Sequence, residues 1–342
     1  MNHSMLIRTQ FGHRRKLVWM SMAAVAIAVG ASAATPQQPH PNAKTQPQRK
    51  PAASACGNPV AFQVLLDRRG FSPGEIDGRM GANAGRALAA FQQARGLPQT
   101  GQPDCKTWHV LSTDTDEPTV TTYTLTDTDV KGPFTKKIPP DLEQQATLPD
   151  LGYTTALEKL SERFHIAPVA LRGMNPRARF VAGEKIKVPA VTPFDPAARP
   201  PRDPAAADVT IQVSRQESAL RATRADGTLV FFAPVSSGSL HDPLPPGNWK
   251  VVSVGWHPTF HYNPDLFWDA APTQSKATIK AGPNNPVGVV WIALDLEHYG
   301  LHGTPEPGHV GHTESHGCVR LTNWDAARLA TLVKPGTPVL FQ

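Results

Sequence analysis

The sequence predicts a multidomain protein with a small α-helical domain, a small α+β module and a mainly β C-terminal domain. Its 342 residues exceed the usual size of one compact domain, and its 35 prolines are unevenly spread. Apolar residues recur at helical spacing within residues 58–175, whereas apolar stretches broken by Gly and Pro turns dominate beyond residue 208. A helical first half and a β-rich last part follow from these patterns.

Residues 1–34 have the pattern of a secretory signal peptide. Basic residues precede the apolar stretch Leu17–Gly30, and Ala31-Ser32-Ala33 supplies small residues for cleavage. The apolar stretch is shorter than the roughly 20 residues that a membrane-spanning helix requires. The sequence therefore predicts secretion, most simply to the periplasm, and no stable membrane span after cleavage; an uncleaved anchor is the alternative.

The net charge does not indicate an anionic partner. Four of the 34 basic residues and none of the 28 acidic residues lie in the predicted signal, which leaves 30 basic against 28 acidic residues in the mature chain. A basic stripe with interleaved aromatic residues is absent from the sequence, so nucleic acid is excluded as a partner.

The three cysteines divide into a pair and a remainder. Cys56 and Cys105 bracket the predicted helical domain, residues 56–114, and are expected to form a disulfide in an exported protein. Cys318 is then left over, inside a Ser-His-Gly-Cys run. Residues 35–55, which are rich in Pro and Gln, are predicted to be a disordered linker.

Three helices are predicted for residues 56–114. Asn58-Pro59 caps the first helix, and Asp104 caps the third. The second helix carries apolar residues on one face and ends at Gly96. Four stretches together resemble the peptidoglycan-binding domain type 1, which implies a surface that binds the bacterial wall: Phe62–Phe71, Ile76-Asp77-Gly78, Ala90-Phe91-Gln92 and Gly96–Gly101.

The middle of the chain is predicted to contain a second small module. Residues 115–150 look like a connector, and residues 191–207 like a Pro-rich, semi-rigid linker. Residues 151–190 read as helix, helix and strand and resemble a degenerate LysM glycan-binding module, although its first strand is not evident. A plain structural spacer is the alternative for this segment.

The chemistry-bearing residues lie in the C-terminal domain, residues 208–342. Tyr299–Thr304 contains His302, and Ser315–Leu321 contains Cys318. A thiol is mostly protonated at neutral pH, so a nucleophilic cysteine needs an imidazole nearby to accept its proton. Gly317 allows a sharp turn that directs backbone N–H groups at a developing oxyanion.

Two histidines compete for the role of proton acceptor. His302 approaches from a separate strand end and is favoured as donor and acceptor, with His316 in a supporting role. Arg320 lies two residues from Cys318 and is predicted either to bind a substrate carboxylate or to form a salt bridge that holds the loop. Ser315 is the other predicted substrate contact.

A zinc site is the chemical alternative. His298 with His302, and His312 with His316, stand four residues apart, and Cys318 would add a thiolate. Glycines and prolines between them disfavour the helix that this spacing needs. We therefore expect neither a metal nor any other cofactor.

The His-Gly-Thr and Ser-His-Gly-Cys-Val-Arg-Leu motifs resemble the L,D-transpeptidase catalytic domain of the YkuD type. The resemblance extends over residues 208–342 and implies Cys318 as nucleophile, His302 as proton donor and acceptor, and His316 and Gly317 in the active-site loop. It implies that Cys318 forms a thioester with the donor stem, a peptidoglycan tetrapeptide. The amine of an acceptor stem then resolves this thioester to form a 3-3 cross-link, or a wall-anchored lipoprotein resolves it and becomes attached to the wall. An L,D-carboxypeptidase, a catalytically silent wall-binding protein and a zinc amidase are the alternatives.

Overall fold

The computed structural model describes residues 56–113, 115–204, 208–315 and 317–342, and all of them lie in one compact unit, Pro51–Gln342. The predicted signal peptide and the linker 35–55 lie outside the described residues, as does His316. No helix in the described ranges has both the length and the apolar composition that crossing a membrane requires.

The N-terminal domain is helical, and side-chain caps set where its helices begin. The helices are α1 Pro59–Arg68, α2 Ala82–Ala94 and α3 Cys105–Ser112. Asn58 accepts a hydrogen bond from the N–H of Ala61 at 2.9 Å, and Asp104 accepts one from the N–H of Thr107 at 2.7 Å. The Cys56–Cys105 disulfide joins the approach to α1 to the start of α3, with Cα atoms 5.0 Å apart.

A two-stranded antiparallel sheet organises the middle module. Its elements are β1 Val120–Thr124, α4 Asp127–Val130, α5 Leu142–Ala146, α6 Ala156–Arg163, α7 Pro168–Met174 and β2 Lys185–Pro189. Strands β1 and β2 pair from Val120 opposite Pro189 to Thr124 opposite Lys185. The prediction that 115–150 is only a connector is therefore wrong. Its Val, Thr and Tyr residues favour a strand, but the partner strand lies beyond four helices.

The C-terminal domain is built on a mixed sheet. Its elements are β3 Val209–Ser214, β4 Ala219–Arg224, β5 Leu229–Pro234, β6 Ser236–Ser237, β7 Gly247–Trp256, β8 Phe260–Tyr262, β9 Ala277–Ile279, β10 Val290–Leu294, β11 Gly300–His302, β12 Val319–Arg320, α8 Asn323–Leu332 and β13 Pro338–Phe341. In the described residues the main sheet has the order β5-β4-β3-β13-β7-β10-β11-β12-β6, and β8 pairs with β9 separately. The mainly β prediction for this domain is confirmed.

The core of this domain lies against one face of the sheet. Inward-facing residues of β10, β11 and β12, such as Ile292, Leu301 and Val319, pack with Leu329 and other apolar residues of α8. Each of these four side chains is at most 1% exposed. Burial of this apolar surface fixes the register of β11 and β12, because a slip of one residue would turn Leu301 and Val319 outward.

The helical domain packs directly on the sheet domain. The backbone of Phe232 in β5 exchanges two hydrogen bonds with Gly70 and Ser72, each 2.8 Å long. The Phe232 side chain, fully buried, lies in the core of the helical domain. Ser72 also donates to Asp325 of α8 at 2.8 Å. The two domains therefore share a core and a hydrogen-bond network.

Candidate active site

The candidate site lies where β11 and β12 run side by side in parallel. β11 ends at His302, and β12 begins directly after Cys318. The two strands pair Leu301 with Val319 and His302 with Arg320. The loop of residues 303–318, called the active-site loop below, connects them. The fold thus brings the two sequence motifs together at adjacent strands.

The strand register places the polar residues on one face. His302 is paired with Trp291 of β10 on one side and with Arg320 of β12 on the other, and Arg320 is paired with Ser236 of β6. Directly paired residues project to the same side of a sheet. Because Leu301 and Val319 face the core, this polar set faces away from it.

The Cys318 thiol is half-buried and contacts a backbone carbonyl. Its Sγ donates to the carbonyl oxygen of His298 at 3.5 Å. Burial raises the pKa of Cys318, while the N–H of Gly300 and the charge of Arg320 act to lower that pKa. Gly300 has no room for a side chain, since a Cβ there would lie 2.6 Å from the Trp291 ring. The resting sulfur is therefore a protonated thiol.

His302 is buried and neutral. Its Nδ1 lies 2.6 Å from the carbonyl oxygen of Gly303, and a carbonyl only accepts, so Nδ1 carries the proton. Nε2 is then left with a lone pair. The ring stacks on Trp291 with centroids 5.3 Å apart. Burial, followed by the charge of Arg320, lowers the pKa of His302 to about 3.

Arg320 is the cation of the site. Burial lowers the pKa of its guanidinium, while the charges of Cys318 and Glu306 act to raise that pKa. Within the part of the chain that the structure describes, Arg320 forms no ion pair. The salt bridge expected as one of its two roles is therefore not seen there.

Gly317 and Ser315 shape the loop in front of Cys318. Gly317 has φ +97°, and a Cβ there would lie 2.8 Å from the Tyr299 ring. The Ser315 hydroxyl accepts from the N–H of Gly238 at 2.8 Å and donates to the carbonyl of Cys318 at 2.6 Å. Ser315 thus braces the loop; its contact with substrate stays a prediction.

The zinc alternative loses the geometry that motivated it. His302 ends a strand and His298 lies in a turn, so this pair is not helical, and His312 also lies in a turn. Outside the masked positions, His316 among them, no three His, Cys, Asp or Glu side chains are grouped to hold a metal ion.

Several residues that shape the site carried no role in the sequence analysis. Tyr299 packs on Gly317, and burial, followed by the charge of Cys318, raises its pKa. Asn323 of α8 accepts from the N–H of Val289 at 3.1 Å and lies so close to Gly303 that a Cβ there would meet its Oδ1 at 2.2 Å. Tyr299 lies beside the motif in sequence, whereas only the fold shows that Asn323 supports it.

Comparison with known families agrees with this arrangement. Residues 208–340 match the YkuD family, described as the L,D-transpeptidase catalytic domain, and residues 58–111 match the peptidoglycan binding domain family. The chain carries an L,D-transpeptidase catalytic domain. The resemblances inferred from the motifs at both ends are confirmed, whereas the LysM resemblance of residues 151–190 stays a prediction.

Two relatives and one solved structure illustrate the proteins to which this chain is similar. The L,D-transpeptidase YkuD of Bacillus licheniformis is 27% identical over 186 residues, which cover 54% of this chain and 91% of that protein. The L,D-transpeptidase YbiS of Escherichia coli K12 is 34% identical over 118 residues, or 33% of this chain and 37% of that protein. A solved L,D-transpeptidase structure from Mycobacterium smegmatis is 20% identical at a TM-score of 0.33, with 47% of this chain and 64% of that chain covered.

Proposed function

We propose that the protein is a periplasmic L,D-transpeptidase that acts on peptidoglycan stem peptides through a thioester on Cys318. The observation that carries this proposal is the position of Cys318. It is the one cysteine outside the disulfide, it lies at the end of the active-site loop directly before β12, and the next two strand positions pair the neutral His302 with Arg320. A nucleophilic thiol needs this combination of base and positive charge.

The first half-reaction forms the acyl-enzyme. The thiol turns from the carbonyl of His298 toward the His302 ring, and Nε2 takes its proton as Sγ attacks. The attacked carbonyl links the L-centre of the third stem residue to the terminal D-Ala. The C–N bond then breaks, His302 returns the proton to the leaving amine of D-Ala, and a thioester remains on Cys318.

The second half-reaction transfers the acyl group. The amine of an acceptor stem attacks the thioester carbon and gives a proton to His302, the C–S bond breaks, and the sulfur recovers a proton. The product is a 3-3 cross-link. If the acceptor amine belongs to a wall-anchored lipoprotein, the same step attaches that protein to the wall.

The electrostatics of the site suit a neutral resting pair. Burial disfavours the charged form of both Cys318 and His302, so thiol and imidazole are both uncharged before substrate binds. The Arg320 charge stabilises negative charge on sulfur and opposes positive charge on His302. His302 thereby stays neutral, and able to accept a proton, until the attack of Cys318 transfers a proton to it.

The remaining predicted residues take supporting roles in this proposal. The N–H groups of Gly317 and Cys318 stabilise the oxyanion, because the positive φ of Gly317 turns the backbone there. Arg320 also has donors for a carboxylate of the stem peptide. Ser315 contacts substrate beside Cys318, and His316 supports the geometry of the loop.

Mass analysis of the products tests the proposal. The full chain is incubated with tetrapeptide muropeptides, and a dimer with loss of D-Ala is expected. Cys318→Ala abolishes the dimer because no other group carries the acyl intermediate, while binding to isolated wall is kept. Cross-linking by the purified variant would contradict the mechanism.

The alternatives give different products. An L,D-carboxypeptidase uses water as the acceptor and yields tripeptide monomer. A silent wall-binding protein yields neither product and gives no mass adduct with a carbapenem. A zinc amidase loses activity with a chelator and keeps it after thiol alkylation.

A further inference from the structure

The active-site loop is held from two sides. On its inner side lies strand β6, next to β12. Ser236 of β6 accepts from the N–H of Gly311 at 3.1 Å, and its hydroxyl lies 3.3 Å from the carbonyl oxygen of His309. Gly238, just after β6, is linked to Cys318 through the Ser315 hydroxyl. The loop is thus tied to β6 at its middle and at the residues that precede Cys318.

On its outer side the loop meets helix α2 of the peptidoglycan-binding domain. The amide of Asn83 donates to the carbonyl of Val310 at 2.8 Å. Arg86 donates to the carbonyl of Gly311 at 3.3 Å and to the amide oxygen of Asn83 at 2.7 Å. Two consecutive loop carbonyls are therefore bound by two linked side chains from another domain.

The contact is too close for the loop to shift freely. Val310 is 2% exposed. Gly311 has φ +80°, and a Cβ on it would lie 2.3 Å from Oδ1 of Asn83. A larger residue at position 311 would therefore displace either the loop or the start of α2.

Helix α2 is itself fixed to the catalytic domain. Phe91 of α2 packs edge-on against Phe71, with ring centroids 5.4 Å apart, and Phe71 pairs with Phe232 of β5. The backbone hydrogen bonds of Phe232 to Gly70 and Ser72 anchor the same segment. Asn83 and Arg86 thus project from a rigid support, which a positioning group requires.

We propose that Asn83 and Arg86 are positioning residues for Cys318, so that the peptidoglycan-binding domain completes the active site as well as binding the wall. Neither residue touches the reacting atoms. They fix Val310 and Gly311 against Ser236, and the loop then presents Ser315, Gly317 and Cys318 in one geometry. Loss of the Asn83 donor frees the outer side of the loop while β6 still holds the inner side.

Thiol reactivity tests the proposal without any wall substrate. The disulfide occupies the other two cysteines, so iodoacetamide added to the full chain without reductant reports on Cys318 alone. Asn83→Ala removes the donor. Asn83→Asp keeps the volume and the pairing with Arg86 but directs a carboxylate at the Val310 carbonyl. Gln93→Ala, an exposed amide on the same helix, is the matched control.

We expect both Asn83 variants to change the pH profile of Cys318 alkylation and to lower kcat for muropeptide cross-linking by about tenfold or more, since small misplacements of reacting groups have such effects. KM for the tetrapeptide and the melting temperature should stay close to those of the Gln93→Ala control. The kcat effect rests on the proposed function, whereas the alkylation profile does not.

The outcomes separate the two proposals. An unchanged alkylation profile in folded Asn83→Ala and Asn83→Asp would overturn the positioning role. A lower melting temperature with unchanged alkylation of the folded protein would assign Asn83 to stability alone and overturn it too. A changed profile in a chain whose wild type makes no cross-link would support positioning and refute the transpeptidase proposal.

Discussion

Arg320 has opposite consequences for the two side chains that it neighbours. Its charge lowers the pKa of Cys318 and also lowers the pKa of His302. Replacing it with the neutral Gln should therefore move both pKa values upward. The thiol becomes harder to ionise, and the imidazole becomes easier to protonate.

We accordingly expect Arg320→Gln to move the pH profile of Cys318 alkylation to higher pH and to slow alkylation several-fold at pH 8. Rates measured with iodoacetamide between pH 6 and pH 10 give the profile. Arg215→Gln is the control, because Arg215 pairs with Glu314 on the exposed side of the loop, 3.7 Å away, and its loss also removes one positive charge. Equal profiles for Arg320→Gln and wild type would contradict the effect of the Arg320 charge on the pKa of Cys318.

Gly317 is limited both by its backbone and by its neighbour. Gly317→Ala combines a strained φ of +97° with a contact of 2.8 Å to the Tyr299 ring. Gly336→Ala carries similar strain at φ +88°, but nothing lies within 4 Å of its Cβ position. We expect cross-linking to fall by about 100-fold or more in the first variant, because the added methyl group would meet the Tyr299 ring and the loop would have to move. The second variant should lose only stability, and comparable activity losses in both would show that the Tyr299 contact is irrelevant.

At the scale of elements, the disulfide ties together the ends of the helical domain. The loop that it closes has a sequence separation of 49 residues. A crosslink of this kind restricts the unfolded chain and stabilises the fold by about 2–4 kcal/mol. We expect the double variant Cys56→Ser, Cys105→Ser to lose stability of that order in denaturant unfolding. Reduced wild type should match it, and a loss in the double variant that reduction does not reproduce would point to packing of the serines instead.

The same scale shows what the sequence could predict. The helices of the first domain were predictable because Asn58, Pro59 and Asp104 mark their starts by local hydrogen bonding. Strand β1 was not, because its pairing with β2 depends on a chain segment beyond four intervening helices. His302 and Cys318 were predictable from their motifs, but the support from Asn323 and Asn83 comes from packing between distant elements, for which no local pattern exists.

For the whole molecule, the expectation of separate modules on linkers gives way to a shared interior. Asp325 at the start of α8 illustrates this, since its carboxylate accepts from Thr322 of its own domain and from Ser72 of the helical domain, both at 2.8 Å. Buried polar groups that bridge domains in this way make docking depend on their protonation. The pH dependence of stability therefore reports on the interface.

Burial raises the pKa of Asp325 to about 7, against the hydrogen bonds from Ser72 and Thr322, which act to lower that pKa. The unfolded carboxyl has its ordinary value of 3.8, so the folded chain holds the proton more tightly. The stability that Asp325 contributes then falls as the pH rises from about 4 to about 7, with a loss of up to about 4 kcal/mol. Glu162, whose pKa burial also raises to about 7, contributes in the same direction.

We expect Asp325→Asn to remove the Asp325 part of this decline and so make it shallower, because Asn keeps an oxygen for Ser72 and Thr322 and has no proton to lose. Denaturant unfolding at pH 4, 5.5 and 7.5 measures the slope for wild type and variant. Asp226→Asn is the control, since Asp226 is exposed and its pKa is lowered by the N–H of Thr228, so its loss leaves the decline in place. If the two variants declined equally, Asp325 would be ionised in the folded chain, and the contact between Ser72 and α8 would be a charged one that strengthens with rising pH.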